Sequence, residues 1–179
     1  MNEEINTDEI YEFFLKDKKN NSWDKLTDER KKLIEDILNS DSELYIERDE
    51  NNKIKYAWIY DTNKFWTYIK YHRTSSEYRN RFKTTKEIIK KIAEILDTNN
   101  STNLQFWAVI KDTTLISMYE KLYKSYPKNK KQKIEWEKLV TYKIDKKWNE
   151  IKIKESKKWD RNNEIISYRI LKESLNKFI

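Results

Sequence analysis

The chain contains no glycine and no cysteine, and only one proline and one histidine. Without cysteine it has no disulfide, no thiolate metal site and no cysteine nucleophile, and we predict no metal site. Without glycine, every tight turn and every close approach of the backbone to a ligand is made by residues that carry a Cβ atom. No apolar run reaches the length of a membrane span, and the first nine residues are acidic and polar. We therefore predict a cytoplasmic protein without a membrane partner.

The composition is that of a globular chain of one domain. The 179 residues suffice for one well-buried core. Hydrophobic residues make up 37% of the chain and aromatic residues 14%, and aromatic side chains bury large areas. Scarce glycine and proline, together with abundant lysine, asparagine, isoleucine and tyrosine, are typical of an AT-rich genome.

Positive charge is concentrated in the C-terminal third. Residues 121–179 carry a net charge of +10, whereas residues 1–120 carry −3. Lysines there alternate with Trp136, Trp148 and Trp159, and this pattern is compatible with nucleic acid as a partner, since lysine neutralises phosphates and tryptophan stacks on bases. The alternative is a solvated lysine-rich surface, because no recognised nucleic-acid motif accompanies the charge.

Hydrophobic periodicity predicts alternating strands and helices. The predicted elements are a short strand at 4–6, helices opened by Thr7 and Thr27, strands at 44–48, 54–60 and 65–71, a helix opened by the capping pattern Thr84-Thr85-Lys86-Glu87, a strand at 104–110, a helix at 113–123, a strand at 139–144 and an amphipathic helix at 165–178. Asn51 and Asn52 are expected to replace the usual hairpin glycine between the strands at 44–48 and 54–60.

The stretch from Phe106 to Leu122 predicts a strand that runs straight into a helix. It resembles the second half of the GCN5-related N-acetyltransferase (GNAT) fold, whose pattern there is a strand, an asparagine and a helix with A-I-x-L-Y-E-K-L-G-F. Asp112 stands at the asparagine position, Tyr119 begins the matching Tyr-Glu-Lys-Leu, and Tyr123 replaces the glycine. The resemblance implies an α/β (mixed α+β) fold with a twisted, mostly antiparallel sheet flanked by helices over residues 1–145. A basic extension with a terminal helix is expected at 146–179.

The resemblance also implies a site for acetyl-CoA. In the family, a loop with the pattern R/Q-x-x-G-x-G/A precedes a helix and holds the pyrophosphate on backbone N–H groups. The matching segment runs from Arg79 to Thr84, with Phe82 and Thr84 in place of the two small residues. Arg79, Arg81 and Lys83 would supply charge and Thr84 a hydroxyl, and Asp112 completes the expected cofactor set. The alternative is a charged loop followed by a capped helix.

Tyr119 aligns with the tyrosine that gives a proton to the departing CoA thiolate in many GNAT enzymes. The alternative is an aromatic residue that packs its helix on the sheet. For the base that would take the proton of the amine, Glu47, Asp61 and His72 lie near predicted strand ends, and none of them stands out.

Two functions remain open. The first is a GNAT-like module with a degenerate cofactor loop, inactive or weakly active, that binds a protein partner or itself and needs no cofactor. Such modules occur among bacteriophage virion and accessory proteins, which would place the chain in a host cytoplasm or a virion. The second is an active N-acetyltransferase that moves acetyl from acetyl-CoA to an amine of a small molecule, a protein or an aminoacyl-tRNA. We favour the first because a Phe82 ring inside the loop would occlude the phosphates.

Overall fold

The computed structural model describes residues 6–15, 24–79, 81–110, 113–135, 137–157 and 164–179. The helices are α1 (Thr7–Leu15), α2 (Asp24–Leu38), α3 (Phe82–Thr98), α4 (Thr113–Lys124) and α5 (Lys172–Asn176). The strands are β1 (Glu43–Arg48), β2 (Ile54–Thr62), β3 (Trp66–Thr74), β4 (Asn103–Val109), β5 (Lys130–Glu135), β6 (Lys138–Ile144), β7 (Glu150–Lys157) and β8 (Ile165–Leu171). The chain divides into two compact units, Met1–Asp61 with Ile69–Thr84 and Thr62–Tyr68 with Thr85–Ile179.

In the first unit, α1 and α2 cover an antiparallel strand pair. Strands β1 and β2 pair from Glu43 opposite Tyr60 onward. Ile10 and Phe14 of α1 and Ile34 of α2 form a buried cluster that includes Ala57 and Ile59 of β2. Burial of these aliphatic and aromatic side chains supplies the main favourable term for folding of this unit.

The hairpin between β1 and β2 is made without glycine, as predicted. The Asp49 side chain accepts hydrogen bonds from the backbone N–H groups of Asn51 and Lys53 at 2.9 and 3.0 Å. Asn52 takes the left-handed conformation with φ of 62°. Asparagine tolerates this region better than most residues, so it replaces glycine here.

A bulge beside this hairpin changes the side-chain order of β2. The register shifts between Glu47 and Arg48, so two residues of β2 lie opposite one residue of β1 at this point. Ile54 consequently belongs to the cluster with Ala57 and Ile59 and does not share the face of Tyr56. Strict alternation failed because a bulge changes the side-chain order along the strand.

The second unit contains the larger part of the sheet. Its strands follow the order β3-β4-β8-β5-β6-β7. The first three residues of β3 pair parallel with β4, and the other pairs are antiparallel. A mixed α+β architecture with a mostly antiparallel sheet confirms the predicted fold class.

The C-terminal segment differs from its prediction. Ile165–Leu171 is the strand β8, paired with β4 on one edge and β5 on the other, and only Lys172–Asn176 is helical. Ile166, Tyr168 and Ile170 are buried at a period of two. The predicted helix at 165–178 is therefore wrong for 165–171, because pairing on both edges and this alternation favour a strand.

Two helices begin before the residues predicted to cap them. Helix α2 starts at Asp24, three residues before Thr27, and α3 starts at Phe82, two residues before Thr84. Leu33 of α2 is 48% exposed, whereas its neighbour Ile34 is buried in the cluster of the first unit. A threonine followed by acidic residues is compatible with the first turn as well as with the cap, so the pattern misplaced both boundaries. The predicted first strand at 4–6 falls almost entirely outside the described residues.

Candidate functional site

The segment before α3 carries two arginines that are held by local contacts in the first unit. The Arg79 Nε donates to the backbone carbonyl of Thr74 at 2.9 Å. The Arg81 guanidinium lies 5.5 Å from the ring centroid of Tyr78, whose hydroxyl donates to Asp49 at 2.9 Å. Arg81 directly precedes Phe82, the first residue of α3, and Arg79 lies three residues before it.

The first turn of α3 has the electrostatic character of an anion site. Its first backbone N–H groups have no partner within the helix, and the helix dipole adds positive potential there. No acidic residue lies in this turn. Lys83 is exposed, and Thr84 is 4% exposed.

Phe82 is the first residue of α3, and its side chain is 77% exposed to solvent. The sequence had suggested a ring that fills the cofactor loop. In the structure the ring belongs to the first turn of the helix and lies at the surface. Asp112, the other expected cofactor residue, lies outside the described residues.

Tyr119 lies on α4 in the second unit and is 6% exposed. Its ring centroid is 4.1 Å from that of Phe106 on β4 and 5.6 Å from that of Tyr168 on β8. These ring contacts pack α4 on the sheet, as the packing alternative expects. A desolvated phenol is also what the proton-donor role requires.

A partly buried ion network includes Glu120, the residue after Tyr119, and was missed by sequence reasoning. The Lys131 Nζ of β5 lies 3.0 Å from Glu120 Oε1 and 2.8 Å from Glu150 Oε1. The Tyr168 hydroxyl donates to the same Glu120 oxygen at 2.8 Å. Burial, followed by the hydrogen bond to Glu120, raises the pKa of Tyr168.

Aromatic rings surround this network. The Lys131 ammonium lies 5.1 Å from the ring centroid of Tyr123 and 5.5 Å from that of Tyr142, both within cation–π distance. The Tyr123 hydroxyl is buried without a hydrogen-bond partner. Burial raises its pKa, and the charges of Glu150 and Glu120 add to the effect, so the phenol stays protonated. The network therefore keeps one cation, two carboxylates and two neutral phenols in a partly dry environment.

The three base candidates occupy different surroundings in the first unit. Asp61 forms an ion pair with Lys70 at 2.8 Å and accepts from the Ser42 hydroxyl at 2.7 Å. Burial opposes ionisation of Asp61, but these hydrogen bonds outweigh it and lower its pKa, which makes it a weak base. Glu47 accepts from the Tyr45 hydroxyl at 2.6 Å, and His72 is half-buried on β3.

The end of α4 is satisfied without a glycine. The helix continues through Tyr123, and the fully buried Asn129 side chain donates to the carbonyl of Leu122 at 2.9 Å and to the Ser174 hydroxyl at 2.6 Å. The same amide accepts from the backbone N–H of Leu171 at 2.7 Å. One asparagine thus satisfies the helix end and joins it to β8 and α5.

Comparisons with solved structures give the fold. A GNAT-family acetyltransferase from Staphylococcus aureus Mu50 is 16% identical and aligns over 92% of both chains with a TM-score of 0.56. The ribosomal-protein-S18-alanine N-acetyltransferase from Escherichia coli is 10% identical, with 93% of this chain and 89% of that chain covered and a TM-score of 0.55. A chimera of the spermidine N-acetyltransferase SpeG from Vibrio cholerae with hSSAT is 9% identical, with 95% and 94% covered and a TM-score of 0.52.

No protein-family model and no curated protein sequence matches the chain. None of the described helices combines the length and the apolar character that crossing a membrane requires. The structural likeness, in which full-length alignments accompany identities of 16% and below, carries the assignment. The chain has the fold of the GCN5-related N-acetyltransferases.

Proposed function

We propose that the chain is an N-acetyltransferase that binds acetyl-CoA at the start of α3 and transfers the acetyl group to an amine. The observation that supports this most directly is the first turn of α3. It has no acidic residue, it is flanked by Arg79, Arg81 and Lys83, and its Phe82 ring is exposed. Backbone N–H groups at a helix start bind phosphate without needing glycine when side chains leave them accessible.

The chemistry requires a proton donor for the leaving group. In the transfer, the amine nitrogen attacks the thioester carbonyl carbon, the C–S bond breaks, and the thiolate takes a proton. Tyr119 is the residue we assign to this proton transfer, because it matches the family position and its phenol is almost fully buried. The amine loses its own proton to solvent or to a base that we leave unassigned.

Calorimetric titration with acetyl-CoA tests the binding step. Native protein is expected to bind, and Arg79→Ala, Arg81→Ala and Lys83→Ala are each expected to weaken binding by removing charge near the phosphates. Lys90→Ala is the matched control, because Lys90 is an exposed lysine two turns further along α3. Phe82→Gly is expected to change the affinity little, since the ring is exposed. Equal affinities in all lysine and arginine variants would contradict the assigned position.

Thiol release tests the chemical step. Tyr119→Phe keeps the ring that packs on Phe106 and removes only the hydroxyl, so kcat is expected to fall by roughly 10²- to 10⁴-fold while acetyl-CoA binding persists. Polyamines, peptides with free N-termini and aminoacyl-tRNA are the amine classes to screen. An unchanged kcat in Tyr119→Phe would remove Tyr119 from the mechanism.

The second candidate is a non-catalytic module with a protein partner or self-assembly, as in bacteriophage accessory proteins. The lowered pKa of Asp61 favours it, since one of the three base candidates is thereby a weak base. It predicts no acetyl-CoA binding by the native chain, a gain of binding in Phe82→Gly, and a stable oligomer in light scattering. Saturable binding by the native chain would exclude it.

A further inference from the structure

The sheet of the second unit has two chemically different faces. One face carries Phe106, Lys131 and Tyr168 and contacts α4 through Tyr119 and Glu120. The opposite face, here called the open face, carries the alternate residues of β4, β8, β5, β6 and β7. The open face includes Gln105 and Trp107 of β4, Ser167 and Arg169 of β8, Lys130 and Gln132 of β5, Thr141 and Lys143 of β6, and Ile151 and Lys154 of β7, with Val109, Ile165, Ile134 and Leu139 in the next row.

The register supports this assignment of faces. Cross-strand partners point to the same side of a sheet, and successive residues of a strand point to opposite sides. Gln132 is paired with Thr141, and their side chains form a hydrogen bond of 3.3 Å. Lys130 and Gln132 therefore share one face, whereas Lys131 between them points to α4.

Three cations lie side by side across the open face. Lys143 is paired with Lys130, and Lys130 is paired with Arg169 on its other edge. Lys130 and Lys143 are exposed, and no ion pair joins either of them to a carboxylate of the described residues. The Nε atom of Arg169 is buried without a partner, and its Nη2 reaches only the carbonyl of Lys128 at 3.5 Å. We call these three residues the cationic row.

The adjacent row combines hydrogen-bonding groups with an aromatic ring. Lys154, Thr141, Gln132, Ser167 and Trp107 are neighbours in successive strands. Trp107 is 40% exposed although it lies within a strand of a paired sheet. An exposed indole next to amide, hydroxyl and ammonium groups presents a stacking surface beside phosphate-binding groups.

Carboxylates are sorted to the other face. Glu135, Glu150 and Glu155 are cross-strand partners of Lys138, Ile144 and Val140, on the side of α4. Asp145 in the β6–β7 turn interacts with one member of the cationic row, since Lys143 helps to lower the pKa of Asp145 after the hydrogen bonds of Asn149 and Lys147. Like charges directly opposite in a sheet are destabilising. The three cations of the row repel one another, and no carboxylate of these strands shares their face. This repulsion lowers the stability of the sheet, and an anionic ligand would offset it.

We propose that the open face binds single-stranded nucleic acid, with RNA as the expected ligand. The cationic row contacts phosphates and Trp107 stacks on a base, as flat sheets with exposed aromatic residues do in single-strand recognition. A single strand fits better than a duplex, because bases inside a duplex are stacked and paired and cannot stack on an indole at the surface of a sheet. The proposal is independent of acetyl transfer, so either can fail alone.

Fluorescence anisotropy with a labelled poly(U) of about 12 nucleotides tests the proposal, since single-strand sites of one domain span about 4–16 nucleotides. The native chain is expected to bind with an affinity that falls as salt rises. The double variant Lys130→Gln/Lys143→Gln should lower the slope of log K against log salt by about 1.4, because each phosphate contact in a single strand contributes about 0.7. Trp107→Ala should weaken binding roughly 5- to 100-fold.

The matched control is Lys133→Gln/Lys152→Gln. It removes two charges from the same sheet, one from β5 and one from β7, but these lysines pair with Glu135 and Glu155 on the side of α4. This control should leave both slope and affinity nearly unchanged, and thermal unfolding checks that each variant folds. Equal losses in the two double variants would show nonspecific attraction and overturn the proposal. Binding to phosphatidylserine vesicles without binding to poly(U) or its DNA equivalent would overturn it as well.

Discussion

Lys130 and Lys131 are consecutive residues of one strand with opposite surroundings. The ammonium of Lys131 is buried between Glu120 and Glu150 under aromatic rings. Lys130 is exposed and has a cation as its cross-strand partner on either side. Abundant lysine in this chain therefore serves two purposes that composition cannot separate. Lys131 stabilises the second unit, and Lys130 places a positive charge on its surface.

The largest effect on stability should come from replacing Lys131, the buried lysine of this pair. Lys131→Met keeps much of the volume but leaves Glu120 and Glu150 without their shared cation. Loss of one partner from a buried ion pair costs 3–5 kcal/mol, and partial exposure of Glu150 places this case near the low end, at about 3 kcal/mol. Urea unfolding at pH 7 measures the difference.

A compensating variant shows whether uncompensated charge causes that loss. Lys131→Met/Glu120→Gln removes the cation and one carboxylate together. Because the two residues share one network, the combined loss should be smaller than the sum of the single losses. Additive losses, or a loss below about 1 kcal/mol for Lys131→Met alone, would mean that the network contributes little to stability.

The hydroxyl of Tyr168 should be the next most important group. Tyr168→Phe keeps a ring that lies 5.3 Å from the Phe106 ring centroid but removes the hydrogen bond to Glu120. Hydrogen bonds to charged groups contribute about 1.5–3 kcal/mol, so we expect a loss near 2 kcal/mol in urea unfolding. When Tyr168→Phe is introduced into the Lys131→Met variant, the loss in free energy of unfolding should differ from the loss in the native chain. The reason is that Tyr168 and Lys131 contact the same Glu120 oxygen.

Alkaline pH should weaken the second unit through the same tyrosines. Tyrosine in the unfolded chain titrates near pH 10, whereas burial raises the pKa of Tyr168 and Tyr123 in the folded chain. The stabilisation from these two tyrosines is complete below about pH 10. It is lost as the pH rises toward their raised pKa values in the folded chain, because the unfolded chain then binds fewer protons than the folded chain. Each tyrosine steepens the fall by up to about 1.4 kcal/mol per pH unit.

Urea unfolding between pH 8 and 11 measures this slope. Tyr168→Phe and Tyr123→Phe should each flatten it, and the half-buried Tyr126→Phe is the control. If none of the phenylalanine variants changes the dependence of the free energy of unfolding on pH, alkaline unfolding would be due to the lysines instead.

Local patterns predicted the elements that the chain forms by itself. The strand and helix from Phe106 to Leu122 correspond to β4 and α4, and the hairpin asparagine Asn52 takes its expected conformation. Both depend on residues close together in the sequence, where propensity and turn chemistry act directly. The family resemblance extended the prediction from these elements to the fold.

Nonlocal pairing explains what the sequence did not reveal. Strand β5 is rich in lysine, which disfavours strands, and it forms because β6 and β8 pair with both of its edges. β8 follows β7 in the chain but inserts between β4 and β5. The Lys131 network draws Glu120 from a helix and Glu150 from another strand, so no local pattern indicated it. The candidate cofactor segment and Tyr119 were predictable only through the resemblance.

The smallest effect should come from the exposed side of the comparison, and its sign should be opposite. Lys130→Gln removes a charge that faces Lys143 and Arg169 across two strand pairs. Like-charge relief in a sheet amounts to about 0.2–1 kcal/mol, so this variant should be slightly more stable than the native chain at low salt. Because salt screens exposed charges, the gain should disappear at about 1 M salt. A loss of stability would instead mean that Lys130 stabilises the fold, as Lys131 does. The charge of the cationic row would then be explained by folding, without a ligand.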